Sequence, residues 1–175
     1  GSANNGYSGN GGNIALTATG AISNLRVYSD GGGYAYNTGG NAGTISVNAA
    51  SLTGVRLYAR GGYGYDQGGY GGAITVNALN ITDLVADSRG GNGYGYSGGG
   101  GGNAGAIAIT TANIANAQLH APGGYAYYGA DGASGAIGLH APTASDITVA
   151  GVEAPFNAIS VQANGGRILP GSSVY

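Results

Sequence analysis

The chain has 175 residues, of which 40 are glycine and 7% are charged, and its formal charge is −2. With no Cys there is neither a disulfide framework nor a thiolate metal site, and five Arg without any Lys supply no basic stripe for a phosphate backbone, so nucleic acid is not an expected partner. No run of 18 apolar residues is present to span a bilayer as a helix, and so sparse a charge neither solvates a disordered tail nor holds copies apart, which favours association with itself or with a surface.

Glycine at this level marks low complexity unless it recurs with a period. A first unit, NIALTATGAISNLRVYSDGG (13–32), returns as TISVNAASLTGVRLYARGG (44–62), AITVNALNITDLVADSRGG (73–91), AIAITTANIANAQLHAPGG (106–124) and AIGLHAPTASDITVAG (136–151). The period is about 30 residues, the scale of a solenoid repeat. Each unit opens on Ile14, Ile45, Ile74, Ile107 or Ile137, followed two residues later by Leu16, Val47, Val76, Ile109 or Leu139. Apolar residues two apart predict a strand.

Next comes a second apolar position at Ile22, Leu52, Ile81, Ile114 and Ala144, and then Asn24, Gly54, Asp83, Asn116 and Asp146. These last residue types tolerate a left-handed backbone, so a bend is expected there. A second alternating pair follows: Leu25/Val27, Val55/Leu57, Leu84/Ala86, Ala117/Leu119 and Ile147/Val149. Two short strands and a corner bury nothing alone, and stacking on neighbours supplies the core. The expected fold is all-β, a parallel β-helix of about five to six coils. It forms one domain over 1–175, with repeats near 9–38, 39–67, 68–100, 101–130 and 131–152 and a terminal coil at 153–175.

Between units runs a Gly/Tyr-rich arm that ends in GNGG (9–12), GNAG (40–43), GYGG (69–72), GNAG (102–105) and GASG (132–135). A linker has no reason to keep glycines in register with a core, whereas backbones packed closer than a Cβ allows require them. The arms are therefore expected to be ordered and extended, PPII-like or β-like. Each carries a tyrosine pair, Tyr34/Tyr36, Tyr63/Tyr65, Tyr94/Tyr96 and Tyr125/Tyr127, expected to stack into a ladder. With Tyr28 and Tyr58 on the second strands, these ten form the candidate interaction surface.

The combination G-x-x-G-x-I-x-V-x-A, repeated over residues 9–151, resembles the glycine-rich repeats of bacterial secreted β-helix proteins of the filamentous-haemagglutinin and autotransporter-passenger type. The resemblance implies an exported, extracellular or cell-surface solenoid used for adhesion or as fibre material. It brings no catalytic residue with it.

Motifs that would carry chemistry are accounted for by structure. GGYGYD (61–66) opens like a calcium nonapeptide, but residue 68 is Gly where an apolar residue belongs, and the other arms lack the aspartate. GYGYSG (93–98) fits G-x-G-x-x-G without a helix to open. His120 and His140 share the word LHAP but fall on different strands of the repeat, and Asp83 and Asp146 occupy the bend column. No metal, cofactor or enzymatic activity is expected. Asp30, Arg60 and Arg89 share a repeat position and can pair across coils, whereas Arg26 and Arg56 stack as like charges unless Asp87 or a ligand relieves them. Asn80-Ile81-Thr82 is a glycosylation sequon by pattern, on a core residue.

The function these features imply is a structural subunit of an extracellular fibre or matrix, a homopolymer assembled head to tail through open solenoid ends and tyrosine-rich sides. The alternative is an adhesin or glycan-binding module using tyrosine stacking, with an ice-binding Thr/Asn face as a further variant. The sequence opens on Gly-Ser in mid-arm, read as an excised or tag-scarred start. The half-arm there and the missing arm after Val149 are read as one subunit completing the next.

Overall fold

Inward side chains on a two-residue period need a sheet with one buried face, and repeats this short bury it only by stacking. The computed structural model describes residues 6, 8–33, 36–95, 98–141, 147–153, 159–163 and 168–169, and no helix occurs among them. The strands are β1 (Ile14–Thr17), β2 (Ala21–Ser23), β3 (Arg26–Tyr28), β4 (Ile45–Thr53), β5 (Arg56–Tyr58) and β6 (Ile74–Thr82). They continue as β7 (Val85–Asp87), β8 (Ile107–His120), β9 (Ile137–Ala141), β10 (Ile147–Glu153), β11 (Ile159–Ala163) and β12 (Ile168–Leu169). All their pairings are parallel, so the chain is a β-solenoid.

Three of its aliphatic columns follow the start of the long strands, their end and the short strands. Ile14, Ile45, Ile74, Ile107, Ile137 and Ile159 lie in register. So do Ile22, Leu52, Ile81 and Ile114, and Val27, Leu57, Ala86 and Leu119. Among these, Ile45, Leu52, Leu57, Ile74, Ile81, Ile107 and Leu119 are fully buried. Ile45 and Leu52 both point inward although their spacing is odd, so the alternation slips between Ala49 and Leu52 and the strand turns a corner without ending. The expected pair of short strands is thus one long strand, nine residues in β4 and β6, followed by a short one.

The bend falls where residue type places it. Asn24, Gly54, Asp83 and Asn116 have φ of 52°, 63°, 54° and 54°. A side chain in this region costs roughly 1–2 kcal/mol, least for Asn, Asp and Gly. Asn116→Ala is therefore expected to lower stability by about 1 kcal/mol and Asn116→Gly to leave it nearly unchanged, read from urea midpoints. Equal midpoints for the two variants would contradict this origin of the bend.

About four turns are complete with long strand, bend, short strand and arm, fewer than the five to six expected. After β10 only five residues precede β11, too few for an arm, and the later strands merely extend the columns. A second correction concerns β10. Ile147 pairs with Ile114 and Val149 with Ala117, so Ile147 belongs to the second column rather than beside Ala117. The β10–β8 register then shifts by one residue between Ile147 and Val149. Asp146 and the bend expected at it lie outside the described residues.

The arms are ordered by backbone hydrogen bonds with a period of three. On the returning limb, Gly39 N–H donates to Gln67 O of the next coil at 2.9 Å and Gly40 N–H to Gly32 O of the opposite limb at 2.9 Å. Asn41 N–H then donates to Asn10 Oδ1 of the preceding coil at 2.9 Å, and Ala42 and Gly43 repeat the first two directions to Tyr70 O and Ser29 O. Gly68, Gly69, Tyr70, Gly71 and Gly72 follow the same order, with Asn41 Oδ1 accepting from Tyr70 at 2.8 Å. Three directions per turn is the geometry of polyproline II, not of a strand. The outer glycines of the four G-x-x-G units from 40–43 onward face backbone: a Cβ on Gly40, Gly69, Gly102 or Gly132 would overlap the carbonyl oxygen of Gly9, Gly40, Gly69 or Gly102.

Candidate interaction surface

Outward residues of the long strands are short and polar, with Thr17, Asn48, Asn77 and Thr110 in one row and Ser46, Thr75 and Ala108 in another. They make a flat face. On the short strands the outward side chains are larger. Tyr28 and Tyr58 stack with ring centroids 4.9 Å apart and planes 12° from parallel, and the Arg60 guanidinium lies 4.8 Å from the Tyr58 centroid. Asp87, which alternation from Ala86 places on this outward face, is buried, with Tyr58 and His120 as its register neighbours.

Four of the charged side chains form two pairs. Asp30 Oδ2 accepts from Arg60 Nη2 at 2.6 Å across coils, as the repeat position implied. Arg89 Nε instead donates to Asp87 Oδ1 at 2.9 Å on its own turn. The hydrogen bond to Asp30 holds the Arg60 pKa above the usual guanidinium range, against the opposing effect of burial. A raised basic pKa gives stability that is present at every pH below the ordinary value and lost only as pH rises through the raised one, so Arg60 adds no pH dependence near neutrality.

The described arm tyrosines form an exposed edge. Among the candidate residues Tyr28, Tyr36, Tyr63, Tyr65, Tyr94, Tyr125 and Tyr127 are exposed and Tyr58 is half-buried; Tyr34 and Tyr96 lie outside the described residues. Tyr36 and Tyr65 approach to 6.4 Å. Gly64 bridges Gly93, and Gly93 bridges Ala126, which places Tyr94 in the column of Tyr65 and Tyr127 and puts Asn92 at the level of Tyr63 and Tyr125. The third arm is thus displaced by two residues from the alignment of its tyrosine pair. Asn92 serves that position by accepting the Tyr125 N–H on Oδ1 at 2.9 Å. Tyr70 and Tyr128, not among the candidates, are exposed as well, and Tyr128 packs edge-on against Tyr127 at 4.6 Å. Tyr70 was legible as the residue replacing Asn in the GNAG position, and Tyr128 as the residue next to a candidate.

Beside the bend, an open groove of about 500 Å³ runs across the coils. Its floor holds the bend residues, and its wall holds Arg26, Arg56, Val85 and Gln118, which lie in register. Among the described residues no three His, Cys, Asp or Glu side chains converge on a common point, and no helix is long and apolar enough to cross a membrane. No protein-family model, curated protein or solved structure matches the chain.

Proposed function

We propose that the chain is a structural subunit of an extracellular fibre or matrix, a glycine-rich solenoid of the filamentous-haemagglutinin and autotransporter-passenger kind that associates with its own copies. The observation that supports this is the tyrosine edge. Nine tyrosines among the described residues expose more than two-fifths of their surface, on a chain of which only 7% is charged. Large apolar rings with a polar tip favour contact between surfaces, and little charge opposes it. Head-to-tail stacking extends the same assembly, since a parallel solenoid offers unpaired strand groups wherever its stack stops. Sedimentation velocity tests the reading. The native chain is expected to form species that grow with concentration, and the Tyr36→Ser/Tyr65→Ser/Tyr127→Ser variant to remain small. A native chain that is monodisperse and monomeric at high concentration would refute it.

A glycan-binding module is the second reading, favoured by the exposed Tyr28 ring beside a groove lined by arginine and amides. Such a module stays small in the same experiment.

A further inference from the structure

The groove beside the bend has a charge pattern that the fold itself does not explain. Arg26 and Arg56 are partners in the β3–β5 register and both are exposed, which sets two guanidinium groups on adjacent strands about 4.8 Å apart. The ion pairs formed among the described residues belong to Arg60 and Arg89, so neither groove arginine has an acidic partner there. Asp83, the one acid among the described residues that line the groove, accepts a hydrogen bond on Oδ1 from Asn116 Nδ2 at 3.1 Å. Like charges held one coil apart repel. An anion bridging them removes that repulsion and receives two planar donor forks matched to carboxylate or sulfate.

The surroundings suit a sugar rather than an isolated ion. Asn24, Asn116 and Gln118 present amides along the same groove, donors and acceptors for hydroxyl groups. Tyr28, two residues from Arg26 on the same outward row, places next to it a ring that is 53% exposed and stacked on Tyr58 by one face. A sugar ring packs on an aromatic face while its hydroxyls stay hydrogen-bonded. The net charge of −2 offers no general attraction for a polyanion, so binding must come from this local pair.

We propose that the groove is a binding site for the acid groups of a polysaccharide, carboxylate or sulfate, with Arg26 and Arg56 as the anion clamp. This deepens the glycan-binding reading and is independent of fibre assembly, because a chain that fails to polymerise can still be titrated.

The test is calorimetric titration of the full chain with an oligogalacturonate, a sulfated oligosaccharide, inorganic sulfate and a short single-stranded oligonucleotide. At least one of the two oligosaccharides is expected to bind in the millimolar range or tighter, and which of them binds identifies the acid group. Arg56→Gln is expected to weaken that binding about tenfold, a difference of one decade in Kd, and Asp83→Asn to strengthen it. Both positions are exposed, and a native-like melting curve for each variant establishes that the fold is retained. A salt titration of the unsubstituted chain gives a second measure that needs no variant, with affinity falling as salt rises. The proposal is overturned by absence of binding to both oligosaccharides, by unchanged affinity in Arg26→Gln/Arg56→Gln, by salt-independent affinity, or by tighter binding of inorganic sulfate or of the oligonucleotide.

Discussion

Replacing Gly69 with Ala is expected to lower the thermal midpoint by roughly 5–10 °C, whereas Gly12→Ala is expected to leave it unchanged or slightly raised. The two glycines are outer glycines of the G-x-x-G units at 9–12 and 69–72 but face different surroundings. A Cβ on Gly69 would overlap Gly40 O and press on Gly39 O, both backbone atoms that cannot rotate away, while a Cβ on Gly12 meets nothing within 4 Å. Forcing a methyl into a packed interior costs about 1–3 kcal/mol, and in a chain of this size each kcal/mol moves the midpoint by roughly 2–4 °C. Where the added methyl has room, Gly→Ala stabilises by about 0.4–1 kcal/mol through the unfolded chain. Calorimetry of the pair gives the contrast. Hydrogen exchange supplies an independent measure, since the Gly69 amide donates to Gly62 O at 2.9 Å and should be protected in the native chain. Equal midpoints for the two variants, or random-coil exchange from Gly61 to Gly72, would show that the arms do not pack as described.

Ile81→Ala is expected to cost about 2–5 kcal/mol, the largest effect of any single truncation discussed. Ile81 is 1% exposed and sits in the second column between Leu52 and Ile114, so the cavity opens toward both neighbouring coils. In a solenoid each repeat contacts only the repeats beside it, and a lesion in a central coil weakens two interfaces where one in a terminal coil weakens one. Ile22→Ala, at the half-buried first member of the same column, should therefore cost clearly less. Guanidinium denaturation measures both. A cost for Ile81→Ala no greater than that for Ile22→Ala would argue against coil-by-coil stacking as the source of stability.

The residues alone determined the parts of this protein that depend on periodicity and on intrinsic backbone preference. Ile14, Ile45, Ile74 and Ile107 occur once per coil because each must cover the one before, so spacing alone assigns them to one column. Asn24, Gly54, Asp83 and Asn116 are left-handed because few other residues are stable there, so residue type alone marks the bend. The outer arm glycines belong to the same class, since steric exclusion leaves its mark at 40–43, 69–72, 102–105 and 132–135.

Tertiary structure decided whatever depends on which backbone direction a group faces. GNAG spells out its glycines but not why Asn stands second. Only the three-fold bonding of the arm shows Asn10 and Asn41 accepting the outward N–H of the following coil. Asp87 reads as an outward acid from alternation, yet it is buried in the register between Tyr58 and His120 and pairs with Arg89. The register of β10 and the shift of Tyr94 by two residues were likewise hidden. Ile147 and Tyr94 each have an equally good partner two or three positions away in sequence, and side-chain type does not choose between them. The choice is made by the summed hydrogen bonds and packing of a whole coil against its neighbour, a quantity that no local pattern of residues encodes.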